Sequence, residues 1–217
     1  MKLLSQIISW LFMPLLMPLY AIWIVLFIPS YQLPNEYGAI QTIEYTPEMR
    51  WTIFLTFAIF CLVAPGLSVI IMKRSGLIKS IEVEEQKERN LPLIVTLFYC
   101  IVMFVMMKNR ISNEFLASYI FALPLSCLVV NVAMLIGNRF MKISLHAAGA
   151  GILTGYLIAF TFSQLAYNYG IIIFSIFASG LVISSRLYLK KHTPIQLILG
   201  YSIALLLSFS TTYYYDL

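Results

Sequence analysis

Apolar residues run along this chain in long blocks divided by short polar stretches. The blocks approach the length of about 20 residues that a helix needs to cross a bilayer, and no strand-length alternation recurs. The pattern therefore predicts an all-α, polytopic membrane helical bundle of six to seven spans and argues against a membrane β-barrel. The stretch Met1 to Pro29, broken at Pro14 and Pro18, would run about 43 Å as one helix, too long for a straight crossing. It divides into a short interfacial or re-entrant helix, Leu3 to Phe12, and a first span, Leu15 to Ile28. A secretory leader is the rival reading, but no clean small-residue cleavage site follows the apolar run. A polar loop, Ser30 to Glu48, precedes a second span at Trp51 to Met72, where Pro65-Gly66 predicts a kink. Lys73 to Asn90 carries mixed charges and reads as a solvated connecting helix. The third span, Leu91 to Met107, opens with Pro92 in its first turn, where proline is tolerated. A tight loop, Lys108 to Glu114, leads to a fourth span at Phe115 to Ile136. The fifth runs from Ser144 to Phe162, the sixth from Gly170 to Leu189, and the seventh starts at Thr193-Pro194 and ends in an aromatic belt, Tyr213 to Tyr215.

Composition supports this pattern. The 217 residues are 61% hydrophobic and only 11% charged, about half the charge of a soluble domain. They read as a single integral-membrane domain, residues 1–217, in which 1–29 supply the interfacial helix and first span. Cys61, Cys100 and Cys127 all fall in apolar runs and read as small buried hydrophobes, not as a disulfide or metal set. Of the 14 Lys and Arg residues, only Arg50, Lys108 and Arg110 fall on the side opposite the N-terminus. The positive-inside rule then places the N-terminus in the cytoplasm, of a bacterial inner membrane in this reading. Setting aside Arg89, Lys142 and Arg186 as site residues weakens that bias without reversing it.

The alternation of spans has a second consequence. The loops after the second, fourth and sixth spans open on one side, so Arg89, Ser144, His146, Arg186 and His192 can converge there. Polar groups converging at membrane depth are a functional-site signal. His192, Gln196 and Gly200 recur every four residues and share one helix face. An arginine that stays charged beside an imidazole that can act as nucleophile or base suits phosphate chemistry. Arg186, Lys190, Lys191 and His192 also fit a plain basic flank at a membrane surface. Gly149, Gly151 and Gly155 fit close helix packing better than catalysis. No metal-ligand spacing occurs, so no metal or other cofactor is expected.

These loops resemble the type-2 phosphatidic acid phosphatase superfamily. Ser185-Arg186, five residues and His192 match the spacing of that family's third motif, with Gln196 where the family has Asp. Ile143-Ser144-Leu145-His146 looks like the second motif with its Ser and His kept and its Pro and Gly lost. Arg89-Asn90-Leu91-Pro92 is a loose form of the first, with Glu82 where the family has Lys. The resemblance covers roughly residues 79–200, the motif-bearing core, and implies a phosphatidic-acid-phosphatase-like bundle there. It implies that His192 attacks phosphorus to form a phospho-histidine, oriented by Gln196, and that His146 protonates the leaving alcohol. Arg89, Arg186, Ser144 and Lys142 are the implied phosphate-binding set. Arginine forks and a helix start both suit an anion.

The expected activity is thus a metal-independent membrane phosphatase, or phosphotransferase, acting on a lipid or isoprenyl phosphate. The expected partners are membrane lipids, with a homo-oligomer or membrane-protein partner compatible and nucleic acid not expected. Gln196 and the altered motifs keep open a non-catalytic phospholipid-binding or assembly subunit. A transporter is disfavoured because the nine acidic residues lie in loops or at span ends.

Overall fold

The computed structural model describes residues 1–28, 45–83, 85–110, 116–162 and 168–216. The expected loop at Ser30 to Glu48 and the turn after Lys108 lie largely outside the described residues. Among the described residues every regular element is helical: α1 Lys2–Leu11, α2 Met17–Phe27, α3 Pro47–Phe57, α4 Ala64–Arg74, α5 Asn90–Arg110, α6 Ser118–Gly137, α7 Leu145–Phe162, α8 Tyr169–Tyr188 and α9 Pro194–Asp216. Six helices are long and apolar enough to cross a membrane, counting Pro47–Arg74 as one, and α1 with Pro14–Phe27 makes a further bent pair. The two arms of that pair meet at 41°. Pro14 and Pro18 lack the N–H groups that would continue the α1 ladder, so the chain restarts through a short 3₁₀ turn, Pro14–Leu16.

Pro65 likewise has no N–H to offer the carbonyl one turn back. The irregularity takes the form of a π-helical segment, Ala58–Val63, inside an otherwise continuous helix. The stretch Lys73 to Asn90 corrects the expectation of a connecting helix. Helix α4 ends at Arg74, Gly76 turns the chain at φ +73°, and only Lys87–Arg89 winds into a 3₁₀ turn before α5. Mixed charge predicts solvation, but this segment is tied down. Asn138 Nδ2 donates to the Gln86 carbonyl (2.9 Å) and to Asn90 Oδ1 (2.9 Å), and Gln86 Nε2 donates back to the Asn138 carbonyl (2.6 Å).

Helix α7 is the centre of the bundle. Of its spanning window, 72% is buried, against 56% or less in the other spans. It packs on α9, α8, α2 and α6. Small residues make this approach possible: a Cβ on Gly151 or Gly155 would meet the backbone carbonyl oxygen of Tyr201 or Leu205 on α9. Hydroxyl pairs fasten the same seams, Thr154 Oγ1 with Ser179 Oγ across α7–α8 and Ser126 Oγ with Thr212 Oγ1 across α6–α9, both at 3.0 Å. At the far end, Lys108 Nζ lies 5.1 Å from the Tyr215 ring, a cation–π contact between α5 and the tyrosine cluster.

Candidate functional site

The end of the bundle where α7 and α9 begin and α8 ends is built by capping. Ser144 is the N-cap of α7: its Oγ accepts the Ala147 N–H at 3.3 Å, and its own N–H donates to the Gln196 carbonyl at 3.2 Å. At Gly200 a Cβ would stand 2.7 Å from the Ser144 carbonyl oxygen, so only glycine lets α9 lie this close to the start of α7. Thr193 opens α9 with a reciprocal cap, its Oγ1 accepting the Gln196 N–H (3.4 Å) and its N–H donating to Gln196 Oε1 (3.2 Å).

That cap fixes His192. Gln196 Oε1 lies 3.1 Å from His192 Nδ1. Since Oε1 already accepts from the Thr193 backbone, the ring nitrogen must be the donor. The proton therefore sits on Nδ1 and the lone pair on Nε2. His192 is buried, and burial, followed by the charge of Arg89, pulls its pKa down to about 4. The Gln196 hydrogen bond works in the opposite direction, and Arg186 and Lys142 add to the depression. At neutral pH the ring is an uncharged imidazole with an available lone pair.

Around it lies a cavity of about 400 Å³ whose wall includes Arg89, His146, Arg186, His192, Glu82 and Ser9. His146, at the second position of α7, is within electrostatic reach of Arg186, His192 and Arg89 and meets the backbone of Ser9. Arg186, on the last turn of α8, is buried and uses one nitrogen twice. Its Nη1 donates to Ser9 Oγ at 2.6 Å and to Glu82 Oε2 at 3.2 Å, while its Nε is buried without a partner. Arg89 Nε donates to the Val83 carbonyl at 3.0 Å and its Nη1 to the Ile143 carbonyl, so it also staples the charged segment to the entry of α7.

Of the residues singled out in the sequence, His192, His146, Arg89 and Arg186 come together on the cavity wall. Ser144, Lys142 and Gln196 stand behind it: Ser144 caps α7, Gln196 holds His192, and Lys142 Nζ donates to the Lys191 carbonyl at 3.3 Å. Sequence reasoning missed Ser9, and it noted Glu82 only as a charge out of place. The signal for Ser9 was the polar series Lys2, Ser5, Gln6, Ser9, a stripe at helical spacing on an otherwise apolar helix. Of that series Ser9 is buried and Ser5 partly so, while Lys2 and Gln6 are exposed together with Leu3, Leu4, Ile7 and Leu11.

Below the charged end, the cavity continues between α4, α5, α6 and α7 along apolar residues that include Val69, Leu93, Val130 and Ile152. Cys61, Cys100 and Cys127 also face it and are free thiols in buried residues. Among the described residues, no group of His, Cys, Asp and Glu is arranged to hold a metal ion. No family model, curated protein or solved structure matches the chain.

Proposed function

We propose that this cavity is the phosphoryl-transfer site of an integral-membrane phosphatase, or phosphotransferase, working on a lipid or isoprenyl phosphate. The observation that carries the reading is the Gln196–His192 pair: a buried, neutral imidazole whose proton is committed to one side and whose Nε2 lone pair is left for attack. The adjoining arginines supply the charge and forked donors that a phosphate group needs. The apolar depth of the cavity suits a lipid tail. The resemblance to the type-2 phosphatidic acid phosphatases points the same way. In the chemistry proposed, His192 Nε2 bonds to phosphorus as the phosphorus–oxygen bond to the lipid alcohol breaks, and His146 relays to that oxygen a proton taken up from solvent. Water, or a second alcohol, then takes the phosphoryl group from His192. Gln196 orients the ring, and Ser144 and Lys142 hold the loops on which His146 and His192 stand. By the positive-inside rule, the site end of the bundle faces the cytoplasm of a bacterial inner membrane.

A second reading, a non-catalytic phospholipid-binding subunit, is favoured by one observation: the Glu82 carboxylate already occupies part of the Arg186 guanidinium. The two separate on turnover. Purified protein is expected to release the phosphorylated group from members of a panel of lipid and isoprenyl phosphates. His192→Ala and His146→Ala are each expected to reduce release by about 10²-fold or more. Release undiminished in both variants would sink the mechanism, and binding with no release by the parent protein would favour the second reading.

A further inference from the structure

Glu82 is the group that this mechanism does not use. It lies in the cavity wall with its side chain 31% exposed, whereas the Arg186 side chain it pairs with is 3% exposed. One of its oxygens accepts from Arg186, and the other is left for a ligand in the cavity. The formally charged residues of the described cavity wall are Arg89, Arg186 and Glu82, which leaves one net positive charge when both imidazoles of the wall, His146 and His192, are neutral. A phosphate monoester carries close to two negative charges at neutral pH, and a carboxylate at the entrance repels the second of them. A phosphodiester carries one negative charge and matches the wall. Trp10 is also in the cavity wall and half exposed, and an indole face binds ammonium groups.

We infer that the charged end of the cavity binds a zwitterionic phosphodiester head group of the phosphocholine or phosphoethanolamine kind, with its phosphate on Arg186 and its ammonium between Glu82 and Trp10. The unpartnered Nε of Arg186 gives the phosphate a donor that Glu82 and Ser9 do not occupy. Glu82, by holding Nη1, keeps the guanidinium in place while remaining open to a cation. The inference rests on the reading of this cavity as a phosphate site, and within that reading it favours the phosphotransferase, acting on a phosphodiester lipid that carries a positive charge beyond the phosphorus, over a phosphatase acting on a monoester.

Calorimetric titration of the purified protein in detergent tests it with three probes: a short-chain diacyl phosphocholine, the matching phosphatidic acid, and free phosphocholine. The lipid zwitterion is expected to bind at least tenfold more tightly than phosphatidic acid. Free phosphocholine is expected to bind at least tenfold more weakly than the lipid, because it leaves the apolar depth empty. Glu82→Gln should reverse the lipid order, and Glu82→Asp, which keeps the charge, should preserve it. Trp10→Leu should weaken the zwitterion several-fold and leave phosphatidic acid unchanged. Preference for phosphatidic acid by the parent protein, or an equal shift of both lipids in Glu82→Gln, overturns the zwitterion and leaves the phosphate site standing. Binding of both lipids that is indifferent to Arg186→Gln overturns the phosphate site as well.

Discussion

Gln196 accepts two hydrogen bonds through one oxygen, from His192 Nδ1 and from the Thr193 backbone. An amide at this position supplies orientation without charge. Gln196→Glu keeps the reach and adds a carboxylate, which favours imidazolium. The titration point of His192, followed by NMR, should then move up from about 4, and an unmoved value would contradict the hydrogen bond. Gln196→Leu removes both the orientation and half of the helix cap. It is expected to lower turnover by about 10²-fold and stability by about 1 kcal/mol. Stability should also depend on pH through His192. Its folded pKa lies below the unfolded value, so the unfolded chain takes up the proton first as pH falls. The stabilisation is complete above about pH 6.5 and is lost as pH drops towards 4, by up to about 3 kcal/mol. Burial, then the charges of Arg89, Arg186 and Lys142, produce this shift. Thermal unfolding in detergent at pH 7 and pH 4.5 should show the loss, and His192→Gln should reduce it.

The elements that carry the site are set by close packing of α7 on α9. Gly155→Ala places a methyl group against the Leu205 carbonyl and must push the helices apart. It is expected to cost about 1–3 kcal/mol, whereas Gly180→Ala, which meets nothing within 4 Å, should be neutral. Equal melting temperatures for the two variants would contradict this packing. The sequence made the spans legible because each is a long apolar run, and it made the α7 glycines legible as packing residues because small residues cluster there. The segment from Lys73 to Asn90 was not legible. Its charges resemble those of a solvated helix, and Lys73, Arg74, Lys79, Glu85 and Lys87 are indeed exposed, yet Arg89 is spent on two carbonyls, Glu82 on Arg186, and the uncharged Gln86 on Asn138. Val83, a β-branched residue at φ +47°, takes a left-handed turn next to Glu82 that a β-branched side chain rarely adopts. No local pattern announces a contact between residues 104 positions apart.

At the scale of the whole molecule, alternate crossings gather the ends of α4, α5, α6, α7, α8 and α9 on one side, and the gathering was readable from span count alone. The burial of Ser9 on α1 was not, because a short amphipathic helix fits a membrane surface as well as a protein wall. Its Ser9 closes the site against Arg186. Ser9→Ala should leave the fold intact and weaken phosphate-lipid binding by several-fold, measured by titration. The cytoplasmic placement proposed for this end predicts that a single cysteine introduced at Lys190 remains unlabelled by impermeant reagents in intact cells.

The central claim is that His192 bonds to phosphorus. Acid-labile, base-stable phosphorylation chemistry on that side chain is read most directly by trapping: the purified protein is mixed with the lipid phosphate panel, including a zwitterionic phosphodiester, quenched at high pH, and analysed by peptide mass spectrometry. A phosphorus-bearing adduct on His192, absent from His192→Ala, is the predicted result. Turnover with no adduct on His192, or turnover that survives His192→Ala, contradicts it.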